Sequence, residues 1–465
     1  MPDTPLHYQT IAEVGARLQA RELSPVELTQ AILERIEALD GGLKSYATVM
    51  TDSAMASARA AEQEIAAGNY RGGLHGIPIA VKDLCFTTGV ATMGGAQVLR
   101  DFVPDFDGTV VQKLNAAGAV ILGKLNLTEG AMAGYNPEFD IPVNPWGADR
   151  WSGASSSGSG VATAAGLCYG SLGSDTGGSI RFPSAACGTV GIKPTWGRVS
   201  RYGVLALAES LDHIGPMTRS ATDAGVMLQA IAGHDPNDPT SLTAPVPNML
   251  GGMSQGVRGV RIGVDERYIG DEVDSELAAA VLEGARLLES MGARLMPVRM
   301  PDTEPLSRAW GVLRSAEAAA AHRDTFPSRA DEYGPWFRGW LELGSRHSAT
   351  DYAIASYTRL SFNGTLSEIF DSIDVLVCPS MTTPPERVTP EALYGPMEEE
   401  EWTWGRFTIP ADFSGAPTIS LPAGLNSEGL PLSIQFVGRR LTEPMLVQVG
   451  HAYEEATQHR LQPAL

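Results

Sequence analysis

Two glycine- and serine-rich segments and one lysine in an apolar run are the residues of this sequence whose types could do chemistry. The first segment is Gly173-Ser174-Asp175-Thr176-Gly177-Gly178-Ser179-Ile180-Arg181-Phe182-Pro183. Paired glycines ahead of a serine let the backbone turn until successive N–H groups face one point. With Ser179 as a nucleophile, the N–H groups of Thr176, Gly177, Gly178 and Ser179 would bind the oxyanion formed in acyl transfer. Taken alone, such a segment is more often a turn carrying a structural serine.

The second segment is Gly153-Ala154-Ser155-Ser156-Ser157-Gly158-Ser159-Gly160. No Gly-Lys-Ser/Thr follows it, so the phosphate-cradling pattern fails. The helical run Val161-Ala162-Thr163-Ala164-Ala165 directly after it argues against a linker, and a rigid turn presenting hydroxyls fits better. Lys82 ends the apolar run Ile77-Pro78-Ile79-Ala80-Val81. A surface lysine on a strand is the usual case. A lysine withdrawn from water instead loses its preference for the charged form and can accept a proton from a hydroxyl. Asp83 points to the opposite face of the same strand and need not neutralise it.

Other candidates are weaker. His75 and His213 are expected to be structural. Asp175 and Arg181 are expected to pair beside Ser179, and Ser156 and Ser174 to support the site by hydrogen bonds. Met132, Tyr135, Trp336 and Trp340 are candidates for a substrate pocket, with ordinary core packing an open alternative. No HExxH and no Cys/His cluster implies a metal, and no cofactor is expected.

Lys+Arg 34 against Asp+Glu 54 leaves a net charge of −20, and no basic run offsets it. That balance disfavours nucleic acid and anionic membranes as partners. No apolar stretch approaches membrane-spanning length, and the first residues lack the pattern of a secretory signal. Cys85, Cys168, Cys187 and Cys378 form no CxxC pair and read as buried free thiols in a reducing compartment. A cytoplasmic protein is expected.

The elements that must position these residues alternate between helix and strand. Residues 1–70 read as helices, one of them opened by the capping box Ser24-Pro25-Val26-Glu27, running to about Leu39 and stopping at Gly41-Gly42. A helix is predicted over 52–67, a buried strand over 74–83, a helix over 109–117 and a strand over 119–124. A short helix at about 158–166 separates two serine-rich turns. Residues 234–258 read as a surface connection. Beyond it lie strands at 260–264, 373–379 and 433–438, helices at 273–291, 303–323 and 350–371, and a terminal helix. The acidic run Glu398 to Glu401 reads as a solvated loop or helix start. The pattern predicts an α/β class.

Residues 153–184 resemble the full signature of the amidase signature family: serine-rich turn, spacer, Asp-Thr-Gly-Gly-Ser-Ile-Arg and proline. The flanks His75-Gly76-Ile77-Pro78-Ile79-Ala80-Val81-Lys82-Asp83 and Cys187-Gly188-Thr189-Val190-Gly191-Ile192-Lys193-Pro194-Thr195 resemble it too. So do Ser210 to Pro216 and Gly429 to Gln435. The likeness runs over nearly the whole chain, and Ala154 and Ser157 are small departures where glycine is common.

The resemblance implies a single domain over 1–465: an α/β/α sandwich whose mixed central sheet is flanked by helices. Its signature core spans 72–220, and 300–410 is the variable, pocket-building part. It implies an amide hydrolase with a Ser–cis-Ser–Lys triad, in which Ser179 is the nucleophile, Ser155 the bridging serine after a cis peptide bond, and Lys82 the base. Its oxyanion donors fall on Thr176, Gly177, Gly178 and Ser179. Small-molecule amides, anilides or carbamates are the expected substrates. Oligomeric state stays open, with a homodimer as the working expectation.

Two other functions remain in view. One is the glutamine-hydrolysing subunit of a tRNA-dependent amidotransferase, which typically carries an arginine pair before a Met-Leu-Gly step. The counterpart here reads Arg338-Gly339-Trp340-Leu341-Glu342-Leu343-Gly344, with a tryptophan in place of that polar clamp. The other, a non-catalytic binding protein, is disfavoured by the intact Lys82, Ser155 and Ser179.

Overall fold

The computed structural model describes residues 4–396 and 405–465, so the Glu398–Glu401 run lies outside the described residues. Its centre is a mixed sheet built from β1 (Tyr46–Val49), β2 (Pro78–Lys82), β3 (Val120–Leu125), β4 (Gly170–Asp175), β5 (Val190–Lys193), β6 (His213–Thr218), β7 (Arg261–Val264), β8 (Arg294–Pro297), β9 (Val375–Cys378), β10 (Thr418–Leu425) and β11 (Pro431–Gly438). The order across the sheet is β1-β3-β2-β4-β6-β5-β10-β11-β9-β7-β8. β3, β2 and β4 run parallel to one another, β9, β7 and β8 form a second parallel group, and the remaining neighbours are antiparallel. Every residue of β2, β3 and β4 is buried, as parallel strands covered on both faces require.

Helices flank the sheet. Helices Ala221–Ile231, Ser275–Ser290 and Glu443–Thr457 pack against its strands and one another, as do Ser157–Ala164 and Arg181–Cys187. A further layer, Glu304–Ala321 with Ala349–Ser372, forms a second apolar cluster around Trp310, Leu313, Phe362 and Phe413, while Pro335–Gly344 packs on Glu304–Ala321 and joins the main core through Phe337, Trp340 and Leu341. Among the described residues no helix is long and apolar enough to cross a membrane.

The capping box at Ser24 forms as expected: its hydroxyl accepts from Val26 and Glu27 N–H and Pro25 opens the helix. That helix does not stop at Gly41-Gly42 but runs through them to Leu43. Asp40 explains the difference, because its carboxylate accepts the N–H groups of Ser45 (2.8 Å) and Tyr46 (3.1 Å) and so ties the helix end to the next strand. That strand, β1, lies in the part read as helical; its pairing with β3, remote in sequence, selects it.

β4 is also unanticipated, because Gly-Ser-Leu-Gly-Ser-Asp has little strand propensity. Its neighbours demand small residues. A Cβ on Gly170 would lie 2.4 Å from Met227 Sδ, and one on Gly173 3.0 Å from Ser156 Oγ. Since β2 and β4 are adjacent and parallel, Lys82 and Ser174-Asp175 end at the same edge of the sheet, where ligands bind in α/β folds.

Candidate active site

Lys82 reaches that edge with its ammonium stem wholly buried. Nζ lies within hydrogen-bond distance of Ser155 Oγ (2.7 Å), Ser174 Oγ (2.8 Å) and Ser156 Oγ (2.9 Å). Burial pulls its pKa from 10.5 down to about 7, against the weaker opposing pull of Cys85, Asp175 and Asp212. Asp83 does face the other way, as expected: it pairs with Lys124 at 3.2 Å. Lys82 therefore has three hydroxyl partners and, among the described residues, no carboxylate in ion-pairing distance.

Ser155 follows a cis Ala154–Ser155 peptide bond in the turn ahead of helix Ser157–Ala164. The two serine-bearing turns are stitched together: Ser156 N–H donates to the Ser179 carbonyl (3.3 Å), and Ser156 Oγ lies within reach of both the N–H and the carbonyl of Ser174 (each 3.2 Å). Ser156 and Ser174 thus support the site as expected. From residue 152 to 195 every residue is buried except Ser179, which is partly exposed.

The turn before Ser179 is held peptide by peptide. His213 Nδ1 lies 3.1 Å from the Asp175 carbonyl. Trp310 Nε1 donates to the Thr176 carbonyl (2.8 Å), and Thr408 Oγ1 to the Gly177 carbonyl (2.6 Å). Phe182 N–H donates to the Gly178 carbonyl (2.7 Å). In a trans peptide the N–H points opposite to the carbonyl, so each bond also aims the N–H of the following residue. Gly178, at φ 134°, supplies a backbone angle that a side chain would oppose.

One of the four expected oxyanion donors is committed elsewhere. The Gly178 N–H donates to Asp175 Oδ1 at 2.7 Å, because Asp175 caps the turn through the N–H groups of Gly178, Ile180 and Arg181. Gly178 therefore drops out of the four expected donors, and Thr176, Gly177 and Ser179 remain as candidates.

Asp175 and Arg181 pair as predicted, at 2.8 and 3.0 Å, within a larger buried network. Arg181 also holds Asp412 (2.7 Å), the Thr408 carbonyl (2.9 Å) and Gln435 Oε1 (3.2 Å). Burial alone would raise Asp175, but the charge and hydrogen bonds of Arg181 outweigh it and keep the carboxyl below its usual range. Lys193 joins the network, its Nζ 3.2 Å from His213 Nε2, and burial brings its pKa down to about 7. Burial and Lys193 together push His213 well below its ordinary value. His213 is a neutral prop for the turn, and His75 sits apart, between Glu64 (3.1 Å) and the Arg71 N–H. Both are structural, as expected. Among the described residues no cluster of His, Cys, Asp or Glu could hold a metal, and all four cysteines are free and buried.

Ser179 opens into a cavity of about 380 Å³. Met132, Tyr135 and Trp336 stand in its wall, with the Tyr135 hydroxyl donating to Ser157 Oγ (2.8 Å). Trp340 does not. It is buried behind the wall, its ring 4.1 Å from the Arg314 guanidinium, which lies 3.4 Å from the Trp310 ring on its way into the wall. Sequence reasoning missed Trp151, Phe182, Trp310, Arg314 and Met381. Their only signal was the placement of three of them within 300–410.

The family model described as Amidase matches residues 27–447. A protein named AmiD from Mycobacterium bovis is 47% identical over 458 residues, covering 97% of this chain and 95% of its own. A glutamyl-tRNA(Gln) amidotransferase subunit from Geobacter sp. (strain M21) is 39% identical over 481 residues, covering 98% of each. The structure of a bacterial aryl acylamidase of the amidase signature family superposes with a TM-score of 0.88 at 26% identity, over 98% of each chain. By sequence, fold and site, the chain belongs to the amidase signature family and is an enzyme that hydrolyses carbon–nitrogen amide bonds.

Proposed function

We propose that this enzyme cleaves small amides, anilides or carbamates with an uncharged or aromatic acyl part, through an acyl-enzyme on Ser179. The observation that carries the reading is the buried Lys82, without an ion-pair partner, at 2.7 Å from Ser155 Oγ, in a turn whose Ser156 N–H bonds the carbonyl of the partly exposed Ser179. Neutral Lys82 has two N–H donors and one lone pair for its three hydroxyl neighbours. When the Ser156 hydroxyl donates to the Ser174 carbonyl, Ser155 or Ser174 must supply the proton that meets that lone pair.

Ser155 gives that proton to Lys82 and takes the proton of Ser179. Ser179 Oγ then bonds to the substrate carbonyl carbon. The oxyanion is met by N–H groups of Thr176, Gly177 and Ser179. The proton returns from Lys82 through Ser155 to the nitrogen, the C–N bond breaks and the amine leaves. Water, deprotonated by the same relay, hydrolyses the ester and restores the Ser179 hydroxyl. The rings of Trp151, Phe182, Trp310 and Trp336 favour an aromatic or apolar acyl group. The same reading has one catalytic domain, in the cytoplasm, with no cofactor.

A second reading, glutamine hydrolysis for a partner enzyme, is favoured by Arg314, a cation in the cavity wall where an amino-acid carboxylate could be met. Assaying the purified chain alone against neutral anilides and against glutamine separates the two. Anilide turnover that disappears in Ser179→Ala supports the first, and glutaminase activity that needs a partner supports the second.

A further inference from the structure

Glu129 is a buried carboxylate that the proposed chemistry does not use. It is 1% exposed and lies at the head of the loop 128–135 that carries Met132 and Tyr135. Its backbone closes that loop, with its N–H donating to the Gly134 carbonyl (3.1 Å) and its carbonyl accepting from Met132 (3.0 Å). Its side chain leaves the loop. Oε2 accepts the Gly334 N–H (2.9 Å), the residue before helix Pro335–Gly344, and Oε1 accepts Asn136 Nδ2 (2.8 Å). Asn136 in turn donates to the Glu332 carbonyl at 3.0 Å.

The helix so held carries Trp336 in the adjoining part of the cavity wall, packed on Gly134. Loop and helix meet without spare room. A Cβ on Gly134 would come 2.6 Å from the Trp336 ring, one on Gly130 2.3 Å from the Phe337 ring, and one on Gly334 2.6 Å from Glu129 Oε2. A carboxylate at the start of a helix is also favoured by the helix dipole. No metal or basic residue is needed to account for its placement. The burial is nevertheless costly for an anion, and it carries the Glu129 pKa up to about 7.

We propose that Glu129 is a positioning residue for substrate: by tying loop 128–135 to the start of helix Pro335–Gly344 it fixes Trp336 against the stretch of wall that bears Met132 and Tyr135, and so sets the size of acyl group the enzyme accepts. This rests on the cavity beside Ser179 being the acyl site. Glu129 does not touch the reacting atoms. Its effect is therefore expected in substrate binding and acyl-size selectivity, with little in the chemical step.

The test compares the parent enzyme with Glu129→Gln, which keeps the shape but presents one acceptor where two are needed, and with Gly134→Ala, which keeps the Glu129 carboxyl but presses on Trp336 and strains the loop at φ 74°. Each is assayed on a benzoyl-sized and an acetyl-sized anilide, with Ser179→Ala alongside. The expected result for both is a KM for the larger substrate raised ~10-fold, a KM for the smaller within about twofold, and kcat within about twofold for either. If Glu129→Gln fails to fold, Asn136→Ala removes the parallel tie from Glu129 Oε1 to the Glu332 carbonyl and leaves the Gly334 bond, so a smaller change in the same direction is expected. Equal loss on both substrates, or a fall in kcat with KM held, overturns the proposal. Activity surviving in Ser179→Ala would instead overturn the acyl-site reading.

Discussion

Lys82 Nζ stands 2.7 Å from Ser155 Oγ in a pocket of hydroxyls, where burial brings its pKa to about 7. Only the neutral amine can accept a proton. kcat/KM is therefore expected to rise with pH through about 7 and to fall below it as one proton is taken up. A pH–rate profile with a neutral anilide checks this, and a flat profile contradicts it. Lys82→Met, similar in length and free of charge, is expected to keep the fold and lose ~10²–10⁴-fold in kcat.

Ser179 and Ser155 should differ in the size of their loss. In the proposed mechanism Ser179→Ala removes the atom that is acylated and is expected to cost at least ~10⁴-fold in kcat. In the same mechanism Ser155→Ala removes one proton-transfer step and is expected to cost ~10²–10⁴-fold. Intact-protein mass after reaction with a slowly turned-over carbamate should show an adduct on the parent and none on Ser179→Ala.

Trp310 tests the aiming of the oxyanion donors. Trp310→Phe keeps a ring against Gly177 but deletes the bond to the Thr176 carbonyl, freeing the peptide that carries the Gly177 N–H. As a proposed oxyanion donor that N–H would act mainly in the transition state, so kcat and kcat/KM should fall together, by ~10-fold, with KM nearly constant. A change confined to KM would count against the assignment.

Arg181 tests the foundation of the turn. Arg181→Met leaves Asp175 and Asp412 buried without their shared cation, and is expected to cost about 3–5 kcal/mol in urea unfolding. Asp175 also holds the N–H groups of Gly178 and Ile180, so activity should fall even where the protein stays folded.

What could be read from the chain follows from how local each feature is. The capping box at Ser24 and the apolar runs of β2 and β3 carry their own signals, and the turn chemistry of 153–160 and 173–183 made Ser179 visible. β4 was hidden because its glycines answer to Met227 and Ser156, side chains brought in by the fold. Gly178 looked like an oxyanion donor until Asp175, three residues earlier, proved to take its N–H. Trp340 and Arg314 share the pocket-building region, yet which of them faces the cavity depends on how Glu304–Ala321 and Pro335–Gly344 pack.

The network around Arg181 spans the chain: Thr408, Asp412 and Gln435 supply the far side of a turn whose own residues end near 183. A ribosome delivers those three partners more than two hundred residues after Arg181. Until β10 and β11 emerge to pair beside β5, the turn has nothing to close against. The nascent enzyme should thus stay inert during nearly all of its synthesis and gain activity only as the last strands are threaded home.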